Sequence, residues 1–175
     1  MSQKNTIEFS FHEIQKFRQK WLWIFLLLID MLAFIFFGYG IFKQLVLGQA
    51  FGSRPLPDIA LVIVGLFFIL LLAVLTYISY TMKLITEVHN DGLTLRFHPL
   101  TLQIIPKELI KKCEVRKYHP IREYGGWGIR YGRKGKAYTV SGTLGVQLEL
   151  VPGKSLLIGS QRPEELARAI QEKMN

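Results

Sequence analysis

Apolar and polar positions divide this chain into three regimes. Positions 21–42, the 22 residues between Lys20 and Lys43, carry a single charge, Asp30. Positions 59–82, the 24 residues between Asp58 and Lys83, carry none. A helix that crosses a ~30 Å hydrocarbon core needs roughly 20 predominantly apolar residues. Each run therefore predicts a transmembrane helix, and a soluble bundle of this size has little room to bury two such helices on all sides. The link at 43–58 holds Gly48, Gly52, Ser53, Arg54, Pro55 and Pro57, which break helices and supply turns.

From Lys83 onward the period falls to two. Runs at 84–89 and 93–98 flank Asn90-Asp91-Gly92, a tight-turn signal. Leu93, Leu95 and Phe97 alternate with polar residues, as do Val146, Leu148 and Leu150. Further strands are expected at 102–105, 109–118, 137–141, 145–151 and 155–159, with Pro152-Gly153 turning one into the next. Leu166, Ile170 and Met174 recur at spacing four, so 162–174 predicts an amphipathic helix, with Pro163, Glu164 and Glu165 suited to its first turn. The fold class is α+β: a helical hairpin in the membrane, then a small antiparallel β-barrel or sandwich at 83–175 capped by a C-terminal helix. The lead, 1–20, contains Phe9, Phe11, Ile14, Phe17 and Trp21, and from His12 onward it predicts an amphipathic helix running into the bilayer.

Charge sets the orientation. The lead carries Lys4, Lys16, Arg18 and Lys20, and the link only Lys43 and Arg54. The positive-inside rule puts the lead in the cytoplasm and the link outside, and two spans return the C-terminal domain to the cytoplasm. The expectation is a multi-pass protein of the cell (plasma or inner) membrane with both termini cytoplasmic. Trp21 and Trp23 at one end, and Tyr77 and Tyr80 at the other, suit the membrane–water interface. A cleavable signal peptide fits poorly, because the apolar run is long and no small-x-small site follows promptly. The single cysteine, Cys113, excludes an intrachain disulfide and points to a reducing compartment.

Certain local sequences resemble a known family. Gly126-Trp127-Gly128-Ile129-Arg130, Tyr138-Thr139-Val140-Ser141-Gly142, Gly145-Val146, Leu157-Ile158-Gly159-Ser160 and Arg162-Pro163-Glu164-Glu165-Leu166 together resemble the last strands and closing helix of pleckstrin-homology-like (PH-like) domains in small bacterial membrane proteins. The resemblance covers about 84–175 and is strongest at 125–170. Gln15-Lys16-Phe17-Arg18-Gln19-Lys20-Trp21-Leu22-Trp23, followed by two spans, is similar to one uncharacterised family of that architecture. What it implies is a PH-like fold and a two-span topology. It brings no catalytic residues.

Chemistry-bearing motifs are wanting. Gly153-Lys154-Ser155 matches the tail of a P-loop, but Leu148 stands where the first glycine is required. Tyr131 interrupts the glycines at 125, 126, 128, 132 and 135, and no helix follows them, so a dinucleotide cradle is not formed. His12-Glu13 has Lys16 in place of the second histidine of a zinc-protease helix, and His89, His98 and His119 lack ligand spacing. Cys113 reads as a structural thiol. No enzyme activity, cofactor or metal is expected.

Two features carry the functional expectation. Residues 107–136 hold ten basic side chains against three acidic ones, interleaved with Tyr118, Tyr124, Trp127 and Tyr131. Across 83–175 there are 16 basic and 9 acidic side chains, a balance of +7. Each basic residue near an anionic leaflet contributes roughly 1 kcal/mol, and a tether keeps the local concentration high. Lys111, Lys112, Arg116, Lys117, Arg122, Trp127, Arg130, Arg133, Lys134 and Lys136 thus form the expected surface for anionic lipid headgroups or a protein partner. No nucleic-acid motif accompanies them. The second feature is Asp30, which at ~1.5 Å per residue lies roughly 14 Å into the first helix. An aspartate at that depth needs a partner. Thr76 or Tyr77 on the second helix, or a second copy of the chain in a homo-oligomer, would supply one. The leading expectation is a membrane-anchored binding or scaffolding protein. Alternatives are an accessory subunit of a transporter or envelope enzyme, and a small oligomeric channel using Asp30.

Overall fold

The computed structural model describes residues 10–174. Phe9 and Lys4, used above, lie outside them. The chain divides into two units, Arg18–Thr81 and the remainder.

The first unit is a helical hairpin. Helix α1 spans Lys20–Ile41 and runs on as one π-helical turn, Phe42–Val46; α2 spans Asp58–Thr81. Both are long and apolar enough to cross a membrane. Trp23, Asp30 and Phe37 are spaced seven apart and form one stripe along α1, which Gln44 continues, seven further on, in the π-helical turn. Each meets α2 or the residues leading into it. Trp23 packs edge-on to Tyr80 with centroids 6.0 Å apart. Thr76 Oγ1 donates to Asp30 Oδ2 at 2.9 Å. Phe37 stacks on Phe68 at 5.7 Å, and Gln44 Nε2 donates to both Leu56 O and Asp58 Oδ1 at 2.7 Å. The remaining faces carry exposed Phe, Leu and Ile.

The second unit holds nine strands among the described residues. β1 (Phe11–Lys16), β2 (Lys83–His89), β3 (Gly92–His98) and β4 (Thr101–Pro106) form an antiparallel sheet in chain order. A 3₁₀ turn at Lys107–Leu109 leads into the second sheet. Its strands are β5 (Ile110–Lys117), β6 (Gly128–Gly132), β7 (Gly135–Thr139), β8 (Leu144–Leu150) and β9 (Lys154–Gly159), in the order β5-β8-β9-β7-β6. A short helix α3 (Pro120–Tyr124) precedes β6, and α4 (Pro163–Met174) ends the fold. One core cluster draws Leu84, Leu95 and Phe97 from the first sheet, Val146, Leu148 and Ile158 from the second, and Leu166 and Ile170 from α4. Each fully buried side chain of this kind contributes roughly 1.5–3 kcal/mol.

Three expectations require correction. The sheets do not close into a barrel, and they are not purely antiparallel. β9 slots between β7 and β8, which are consecutive in the chain, so β7 and β9 run parallel. The lead is not an amphipathic helix from His12: residues 11–16 are a strand with Phe11, Glu13 and Gln15 turned inward. The reason is the β1–β2 register, Phe11 opposite Val88 through Lys16 opposite Lys83, which satisfies the lead's backbone in a sheet. Phe17 and Met82, the last residues before the chain leaves this unit, pack against its core. The unit thus begins in the lead, and not at residue 83. β6 and α3 were not foreseen at all.

Candidate functional site

The expected basic residues are not one surface. Lys111 and Lys112 stand exposed on β5, and Lys112 pairs with Glu114 at 2.6 Å. That hydrogen bond, and Glu114's charge, hold the Lys112 pKa above its ordinary value. Arg116 turns inward, where it pairs with Glu123 and donates to Gln147 Oε1 at 2.7 Å. Glu123 also accepts from His119 N at 2.8 Å and lies 4.0 Å from Lys134 Nζ. Arg116 is therefore a strut joining β5, α3 and β8. Lys117 and Arg122 are exposed. Trp127 Nε1 donates to Gly142 O at 3.1 Å and Arg130 Nε to Trp127 O at 3.0 Å, so this pair fastens the loop before β6.

Arg133, Lys134 and Lys136 do come together. They line an open cleft of about 620 Å³ with Gln103, Tyr131, Ser155 and a residue outside the expected set, Lys154. No carboxylate is among its lining residues. Arg133-Lys134 is the two-residue tip of the β6–β7 hairpin, and Lys154 begins β9 beneath it. Two close approaches fix that hairpin. Gly135 has φ +93°, and a Cβ there would collide with the Ser155 carbonyl; a Cβ at Gly132 would collide with that of Glu123. Lys136 is half-buried. Its Nζ lies 4.6 Å from the Tyr138 ring centroid, 5.6 Å from that of Tyr131, and 3.5 Å from Gln103 Oε1. Tyr138 O–H donates to the same Gln103 oxygen at 2.7 Å. Burial works against charge on Lys136, but its hydrogen bonds and charge interactions with the two tyrosines outweigh this, and its pKa sits above the usual lysine value. Lys136 is thus held in its charged form at neutral pH. Gly153-Lys154-Ser155, dismissed as a P-loop tail, contributes here from a turn and a strand.

In the hairpin unit, Thr76 supplies the bond to Asp30, whereas Tyr77 is 67 % exposed. Trp21 and Tyr80 are also exposed, and Trp23 is half-buried against Tyr80. Among the described residues no group of three His, Cys, Asp or Glu side chains is placed to hold a metal ion. Cys113 is buried, and desolvation, helped by Glu114, raises its pKa to about 11, far from thiolate reactivity.

Fold and cleft together define a class: an α+β protein that joins two long apolar helices to a two-sheet unit with a basic cleft. Within that class the chain belongs to the family of unknown function DUF6141, which matches residues 2–175. No curated protein matches it significantly.

Proposed function

We propose that this chain is a two-span membrane protein that anchors a cytoplasmic PH-like domain, and that the domain's basic surface docks on anionic lipid headgroups in a scaffolding or regulatory role. Two packed sheets followed by a C-terminal helix on the core favour the PH-like reading. The observation that carries the function is attachment. The basic unit is tied at both Phe17 and Met82 to the apolar hairpin, and β1 pairs with β2, so its two exits toward that hairpin are neighbours. A domain so tethered stays within reach of a bilayer surface, where its exposed lysines and arginines act at high effective concentration. The Asp30–Thr76 bond satisfies the carboxyl within one hairpin, so the reading needs no second copy.

The test is hydrogen exchange on the full chain in nanodiscs of neutral or anionic lipid. Docking slows exchange across the β6–β7 hairpin in anionic discs, and high salt erases the effect. Equal exchange in both discs would refute lipid docking and turn the search to a protein partner that co-purifies with the intact chain.

A further inference from the structure

The basic cleft has features that a merely solvated charged face lacks. Its tip, Arg133-Lys134, is held in place by two backbone approaches that only glycine permits. One cation, Lys136, is partly withdrawn from water between two tyrosine rings. A fourth, Lys154, comes from 18 residues farther along the chain, through the parallel pairing of β7 with β9, in which Lys136 stands opposite Leu156. Neutral donors are present too, in Ser155 and Tyr131. Glu123 stands 4.0 Å from Lys134 Nζ but is shared with Arg116, and no carboxylate lines the cleft itself, so its clustered cations favour an anion among them. Its volume falls in the range of about 300–1,000 Å³ usual for small-ligand sites and exceeds what one inorganic anion fills.

We propose that this cleft is a binding site for a phosphomonoester or diphosphate end group, carried by a lipid headgroup or by a small soluble phosphate ester. Lysine ammonium groups and an arginine fork suit such a multiply charged oxygen cluster, and Ser155 and Tyr131 add hydrogen bonds to it. A phosphodiester with one negative charge gains less from four cations. In its lipid form the proposal deepens the lipid-docking reading and rests on it, and in its soluble-ester form it stands apart: lipid docking needs only general basic charge, whereas this site needs four particular side chains.

The experiment titrates inorganic pyrophosphate into the full chain in neutral nanodiscs, followed by calorimetry. Binding is expected to saturate at one per chain. Lys154→Gln or Lys136→Gln should weaken it about tenfold or more, Lys154→Arg should restore it, and Lys111→Gln, on exposed β5, should leave it unchanged. Gly135→Ala, which moves the tip and keeps every charge, should also weaken it. Two further discs of matched charge separate the sources. Pyrophosphate that binds more weakly in phosphatidic-acid discs than in phosphatidylglycerol discs is competing with a lipid phosphomonoester; equal affinity in both assigns the cleft to a soluble ester. Absent saturation, or an equal loss from Lys111→Gln, overturns the site. If hydrogen exchange still reports docking on anionic discs in that event, the lipid-docking reading stands alone. If both signals are missing, both fall.

Discussion

Thr76 and Asp30, 46 positions apart in the chain, share a hydrogen bond of 2.9 Å between facing helices. On the proposed membrane-spanning reading, a polar pair between such helices couples by about 0.6–2 kcal/mol. Thr76→Val should therefore destabilise the hairpin by about 1 kcal/mol, and Asp30→Leu should abolish the further effect of Thr76→Val. Unfolding in mixed micelles, followed by tryptophan fluorescence across the double-mutant cycle, measures this. Additive losses would show that the two groups do not interact. Cross-linking of Asp30→Leu in the same preparation checks the alternative role in oligomer formation, which predicts fewer cross-linked species.

Gly65 lets the helices meet. A Cβ there would lie 3.3 Å from Phe37 Cβ, whereas Gly38, one position on, faces open space. Gly65→Leu should push α2 off Phe37 and break its stack with Phe68, at about 1–3 kcal/mol as for other overpacked contacts. Gly38→Leu is the matched control and should fall within about 0.5 kcal/mol of the parent in the same micelle assay.

Glu13 is a buried carboxylate, 6 % exposed, that receives Ser160 Oγ at 2.7 Å, Gln161 N at 2.9 Å and Gln15 Nε2 at 3.2 Å. Gln15 Nε2 also donates to Gly159 O at 2.7 Å. Together they clamp the lead strand to the junction of β9 and α4. Glu13→Ala strands several buried donors and should cost about 3 kcal/mol. Its signature is a lowered urea midpoint together with new proteolytic cleavage in the lead. Unchanged protection of the lead would show that the β1–β2 ladder alone holds it.

Cys113 and Tyr118 predict the alkaline limb of stability. Burial raises the Cys113 pKa from 9.0 to about 11 and that of Tyr118 from 10.0 to about 12. Folding thus favours the neutral thiol, so its contribution is complete below about pH 9 and is lost as pH rises toward 11. The urea midpoint should hold steady up to pH 9 and then fall, and Cys113→Ala should flatten the first part of that fall. At neutral pH the thiol should resist alkylation until the unit unfolds. Rapid labelling of the folded protein would contradict its burial.

The two apolar helices and α4 were legible because each writes its pattern over many turns. β1 was not, for a physical reason. Its inward positions include Glu13 and Gln15 while Ile14 faces out, so the period-two hydrophobic signal is inverted, and the groups that justify a buried carboxylate stand 147 positions away. β6, Gly128–Gly132, is glycine-rich with an exposed Tyr131, which reads as a loop until β7 pairs with it. The basic stretch 107–136 was visible as composition. Its sorting was not. Arg116 is withdrawn by Glu123, and Lys154 is recruited by a strand that enters the sheet out of order. Charge can be counted along a chain, but which charges converge depends on topology.

β1 precedes both apolar helices in the chain, yet the groups that grip its Glu13 follow nearly the whole of the unit. Its ladder partner begins at Lys83, beyond both apolar helices, and the groups that grip Glu13 follow at Ser160 and Gln161. At roughly 5–20 residues per second, on the order of ten seconds of synthesis separate the strand from its clamp. The β1–β2 ladder can form once residue 89 is made, but the side-chain grip on Glu13 waits for Ser160 and Gln161. A chain released before residue 160 would therefore hold β1 by its ladder alone, with the Glu13 carboxyl buried and its Ser160 and Gln161 partners missing.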